Sequence, residues 1–180
     1  LLTATVAAGD PVVRELAAFE LVRHESPSLE VSQSACAQSA LVFVVMAPGR
    51  YDAQTRLLYG EPGSELPVPQ LGRTDLEGGG IGIWGMDILG ATEATLNVRL
   101  VNPPTPSALL TVLQIEQAST RDAITHGWQG VPGATARAIA PASAGAIWLN
   151  AVLARRPAGG KLFRPSEPIW AQSLGRRTHL

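Results

Sequence analysis

The sequence predicts an all-β fold, a single-domain sandwich or barrel of jelly-roll or Greek-key type with about eight or nine strands and little helix. Three observations carry this. Ala94, Leu96, Val98 and Leu100 alternate with Thr95, Asn97 and Arg99, the period-two signature of a strand with one buried and one wet face. A second run puts Leu109, Thr111, Leu113 and Ile115 on one side and Gln114 and Glu116 on the other. Turn residues recur at short intervals along the chain. Pro103, Pro104 and Pro106 separate the two runs, because proline has no N–H to donate to a ladder. The two runs are expected to pair across that connection.

In chain order, residues Leu1 to about Asp10 are small and apolar, without clear period, and read as an arm or a first edge strand. Ala18 to His24 reads as a strand. A short helix over Val12 to Ala18 stays open, since Val12, Leu16, Phe19 and Val22 fall near helical spacing. Ser26-Pro27-Ser28 is turn-like, and Leu29 and Val31 alternate with Glu30 and Ser32, which together imply a hairpin. Ala40 to Ala47 (ALVFVVMA) is a short continuous apolar run closed by Pro48-Gly49. Its length and β-branching mark a central strand buried on both faces.

Arg50 to Gly60 reads as the next strand, centred on Thr55 to Tyr59 and ended by Gly60-Glu61-Pro62-Gly63. Glu61 to Gly80 reads as one long Gly/Pro loop on the outside, a length that in a compact domain points to function or mobility. Ile81 to Leu89 resumes strand character. Ser119 to Pro132 is a polar connection, Ala134 to Ala140 a weak strand and Ala146 to Ala154 a strong one, with Ile147, Leu149 and Ala151 alternating with Trp148, Asn150 and Val152. The stretch from about 157 to 180 reads as an extended tail.

Of the 180 residues, 46% are hydrophobic and only 16% charged, below the usual quarter. A surface so poor in charge suits partial coverage by partners, and equally a sandwich with a Ser/Thr/Gln-rich exterior. The net charge of −1 provides no global field for nucleic acid or an anionic membrane. Lys161 is the lone lysine among fourteen basic residues; codon bias accounts for this at least as well as arginine's use in interfaces does. Cys36 is the single cysteine, so no intramolecular disulfide forms. No apolar run approaches the roughly 18 residues that span a bilayer. No charged segment precedes an apolar one in the manner of a signal peptide, and a start at Leu1 rather than Met suits release from a longer precursor.

Gly80-Ile81-Gly82-Ile83-Trp84-Gly85 matches G-x-G-x-x-G by letter. A dinucleotide fingerprint needs a preceding strand, a following helix and an acid about 20 residues on. Asn102 stands there instead, so the glycines are read as sites of close packing or a bulge. His24, His126 and His179 are scattered, with no metal-ligand spacing. Pro141-Ala142-Ser143-Ala144-Gly145 lacks the first glycine of a nucleophile elbow. Asp75 and Glu77, in a glycine-rich loop, read as solvated acids rather than calcium ligands. Trp84 and Trp148 lie in strands and are expected in the core.

No coherent catalytic set emerges, and no cofactor or metal is expected. The expectation is a non-enzymatic structural or assembly protein resembling a virus capsid or virion-surface subunit, partnered by copies of itself or a larger shell. Its contacts are assigned to Leu66, Val68, Leu71, Ile169 and Trp170, apolar residues in segments without a periodic pattern. The alternative is an extracellular carbohydrate-binding sandwich using His126 and Trp128 as a ligand platform. A third is an enzyme on a jelly-roll scaffold.

Overall fold

Alternation and proline stops resolve into strands across the described residues. The computed structural model describes residues 2–6, 13–21, 28–31, 38–47, 54–76, 79–89, 94–102, 108–121 and 147–151. Its strands are β1 (Leu2–Val6), β2 (Val13–Leu21), β3 (Ser28–Val31), β4 (Gln38–Ala47), β5 (Arg56–Tyr59), β6 (Leu66–Pro67), β7 (Gln70–Leu76), β8 (Gly79–Leu89), β9 (Ala94–Val101), β10 (Ala108–Glu116) and β11 (Ile147–Ala151), with no helix among the described residues.

The strands form a five-stranded sheet in the order β2-β10-β4-β8-β7, a four-stranded sheet in the order β3-β9-β5-β6, and a two-stranded ribbon of β1 and β11. Every pairing is antiparallel. Five of the pairings nest like brackets: β1 with β11, β2 with β10, β3 with β9, β4 with β8, and β5 with β6. The chain is thus a long two-stranded ribbon, doubled back at the β5–β6 turn. Rolling that ribbon brings β10 against β4 and β9 against β5, which closes the sheets. A rolled double ribbon of this kind is the jelly-roll wrap. β7 is the addition, hydrogen-bonded to the outer edge of β8.

The core follows from the register. Leu41, Phe43, Val45, Trp84, Leu110 and Val112 of the five-stranded sheet cluster with Leu57, Val98 and Leu100 of the four-stranded one. The five-stranded sheet buries its other face as well: Ala40, Val42, Val44, Met46, Leu109, Leu113 and Ile115 form a second cluster. This is why Ala40 to Ala47 shows no alternation. A strand covered on both sides has no wet positions.

Five expectations are corrected. Val13–Leu21 is strand along its length, which closes the helical alternative. β2 and β3 are no hairpin, and β9 and β10 are not paired; each couple is divided between the two sheets. In a sandwich, a chain that leaves one sheet with an apolar face exposed gains by crossing to the other. Glu61 to Gly80 is not one loop, since β6, β7 and the start of β8 lie within it. Finally, β10 has no wet side before Glu116: Ala108, Leu110, Val112 and Gln114 are as buried as their alternates. The initial arm contains β1, paired with β11. The weak strand at 134–140 and the tail from 157 lie outside the described residues.

Candidate functional site

An open apolar side chain stands at the start of β6, just past the β5–β6 turn. Leu66 is 56% exposed, the one large hydrophobic side chain left so open among the described residues. The ladder explains why. Val98, Tyr59 and Leu66 stand in one row across β9, β5 and β6. Val98 is buried and Tyr59 packs on the core. β6 is the edge strand of its sheet, so the row reaches the rim of the sandwich there and ends in water.

The turn that leads into Leu66 is braced. Gly60 (φ 116°) and Gly63 (φ 92°) adopt left-handed conformations that glycine takes without steric cost. Ser64 N–H donates to the Glu61 carbonyl at 2.9 Å, and Gly60 N–H donates to the Asn97 carbonyl at 3.0 Å. Arg99 reaches across from β9 and holds the Glu65 carboxylate with both arms: Nε donates to Oε1 at 2.6 Å and Nη2 to Oε2 at 2.7 Å. A bidentate fork of this kind fixes orientation as well as distance. These hydrogen bonds hold the Glu65 carboxyl below its ordinary range and push the Arg99 guanidinium up. Asn97 Nδ2 donates to Glu61 Oε1 at 3.4 Å.

Proline shapes the edge itself. Val68 N–H donates to the Leu57 carbonyl at 2.9 Å, so Pro67 sits at the next, outward-facing rung. With no N–H there, β6 cannot template another strand. Leu66 therefore stands as an open side chain on a backbone closed to strand addition.

No protein-family model matches the chain, and no curated protein matches it.

The other sequence-predicted interface residues separate. Val68 is 3% exposed and belongs to the core; it is the residue at which the chain crosses from one sheet to the other, and its assignment to an interface is overturned. Leu71 is half-buried on a β-bulge, lying over Gly85, where a Cβ would stand 2.6 Å from Leu71 Cδ1 and 2.8 Å from Thr120 Cγ2. Leu71 therefore fills a gap within the fold. Ile169, Trp170, His126 and Trp128 lie outside the described residues, as do Glu77 and Ser143.

The glycine motif is structural. A Cβ on Gly82 would overlap Trp84 Cη2 and Cζ3, so the indole lies directly on the Gly82 backbone, 2% exposed. Among the described residues no group of three or more His, Cys, Asp or Glu is placed to hold a metal.

One polar cluster escaped the sequence reading. Asp87 of β8 accepts from Ser119 Oγ at 2.6 Å, Thr120 N–H at 2.6 Å and Thr120 Oγ1 at 2.8 Å. Burial works to raise its pKa, but these donors and the nearby Arg121 outweigh it and hold the carboxyl below its ordinary value. The cluster latches the segment after β10 onto the five-stranded sheet. No sequence signal links residues 32 apart; only the sheet register brings them together.

Proposed function

We propose that this chain is a non-enzymatic assembly subunit that works through protein–protein contacts, of the capsid or virion-surface kind. The observation that carries the reading is Leu66, an open leucine at the foot of a turn braced by the Arg99 fork. A long apolar side chain on a mobile loop would lose conformational entropy on docking. Here the turn is already ordered, so little remains to be lost. Apolar anchors of this sort dominate contact energies when a neighbour seals them from water. The jelly-roll wrap supports the reading only as analogy, since lectin domains and cupins share it with capsid proteins. The place of action under this reading is the virion.

The native mass of the purified protein tests the proposal. Sedimentation should show a discrete assembly well above the 18.9 kDa of one chain. Leu66→Glu should shift that assembly toward smaller species with the thermal midpoint nearly unchanged, because Leu66 contributes little to its own core. A strict monomer, or an assembly indifferent to Leu66→Glu, overturns the assignment of Leu66 as the anchor.

A further inference from the structure

The β1–β11 ribbon stands apart from both sheets. Its register sets Leu2 opposite Ala151, Ala4 opposite Leu149 and Val6 opposite Ile147. The rungs between pair Thr3 with Asn150 and Thr5 with Trp148, so apolar–apolar rungs alternate with rungs that carry a polar residue. A two-stranded ribbon is marginal in water by itself and gains stability by adding strands.

The edges of the sandwich are blunted against such addition, as edges usually are. β2 carries exposed Arg14, Glu15 and Glu20, and β6 carries Pro67. The ten residues of the ribbon contain no charge and no proline. Among the described residues, the second edge of β1 pairs with no strand.

The sequence of β1 says what would fit that edge. Leu2–Val6 reads L-T-A-T-V, a palindrome in residue type. Laid antiparallel on itself about a two-fold axis through Ala4, it matches at every rung: Leu2 with Val6 of the second copy, Thr3 with Thr5, and Ala4 with Ala4. Thr–Thr and aliphatic cross-strand pairs are favourable. Alanine at the axis admits close approach, and an uncharged strand meets no like-charge repulsion from its copy. We infer that β1 is the seam of a two-fold dimer, pairing with β1 of a second copy to make a continuous four-stranded sheet in the order β11-β1-β1-β11. Contacts of this isologous kind are the commonest way a chain associates with itself. The inference deepens the assembly reading above and rests on it in supposing that the chain self-associates.

Position-specific cross-linking tests it. The full chain is prepared with Cys36→Ser and Ala4→Cys. Directly opposed residues of an antiparallel pair have Cα atoms about 4.5–5.5 Å apart, within disulfide reach. Mild oxidation should give a covalent dimer with Ala4→Cys and much less with Thr3→Cys, whose opposite residue is Thr5. A monomeric Ala4→Cys product, or equal cross-linking at both positions, overturns the seam. In a second arm, Thr3→Lys with Thr5→Lys, and separately Thr3→Glu with Thr5→Glu, should each lose the dimer by sedimentation, and an equimolar mixture should regain it. Variants that dimerise alone, or a mixture that stays apart, count against the seam. If the parent assembles but Ala4→Cys fails to cross-link, the seam falls and the assembly reading stands. If the parent is monomeric, both fall.

Discussion

Gly82 shows how one residue sets the packing of its surroundings. Trp84 lies flat on its backbone, and the indole is walled in by the core, so the ring has nowhere to retreat from an added methyl. Gly82→Ala is expected to lower stability by about 1–3 kcal/mol, the usual cost of overpacking. A denaturant titration measures it, and Trp84→Leu in the same chain should recover part of the loss. Asp87 is a second such point. Its folded pKa is depressed by the Ser119 and Thr120 donors. Its contribution is therefore present above the unfolded carboxyl value near 4 and is lost as pH falls through the folded value. Asp87→Ala should be less stable than the parent at pH 7. The gap should narrow as pH falls below about 4 and close once the parent's folded carboxylate is protonated as well. Thermal midpoints of both proteins against pH give the comparison, and a constant gap would show that the latch is not electrostatic.

At the scale of the element, β10 is the strand on which both cores depend. It lies between β2 and β4, with Leu110 and Val112 in the inner cluster and Leu109, Leu113 and Ile115 in the outer. Leu110→Ala and Leu113→Ala should therefore be similarly damaging, each by about 2–5 kcal/mol. Alternation alone points to Leu113 and passes over Leu110, so equal losses in chemical denaturation distinguish a doubly buried strand from a one-faced one. Glu61 to Gly80 carries the opposite lesson. Three prolines and repeated glycines resemble a loop, yet Pro62 stands in the β5–β6 turn, Pro67 at an edge rung and Pro69 at the crossing between sheets, where no ladder donor is required.

The whole molecule is defined by nesting. The first strands pair with the last, and only β5 with β6 and β7 with β8 are close in sequence. Chain closure over such separations must precede most of the contacts that reward it, which slows folding. Refolding followed by tryptophan fluorescence should be slow, in roughly the millisecond-to-second range of non-local β topologies. A microsecond phase of full amplitude would be incompatible with this wrap.

The sequence by itself determined that the chain is β, where the main strands lie, and that β4 is doubly buried. Val98, Leu113 and Ile115 were legible as core from alternation, and Gly82 as a packing glycine from its failed motif. Leu66 was legible as an apolar residue without a periodic partner, while Val68, two positions on, looked the same and is core. Only the tertiary structure separated them, and only it decided which strand joins which sheet. The reason is physical. Side-chain periodicity reports whether a face is dry, but not what dries it. That depends on pairings between residues far apart in the chain, such as Leu113 with Val42, Asp87 with Thr120 and Arg99 with Glu65, which exist only once the ribbon has rolled.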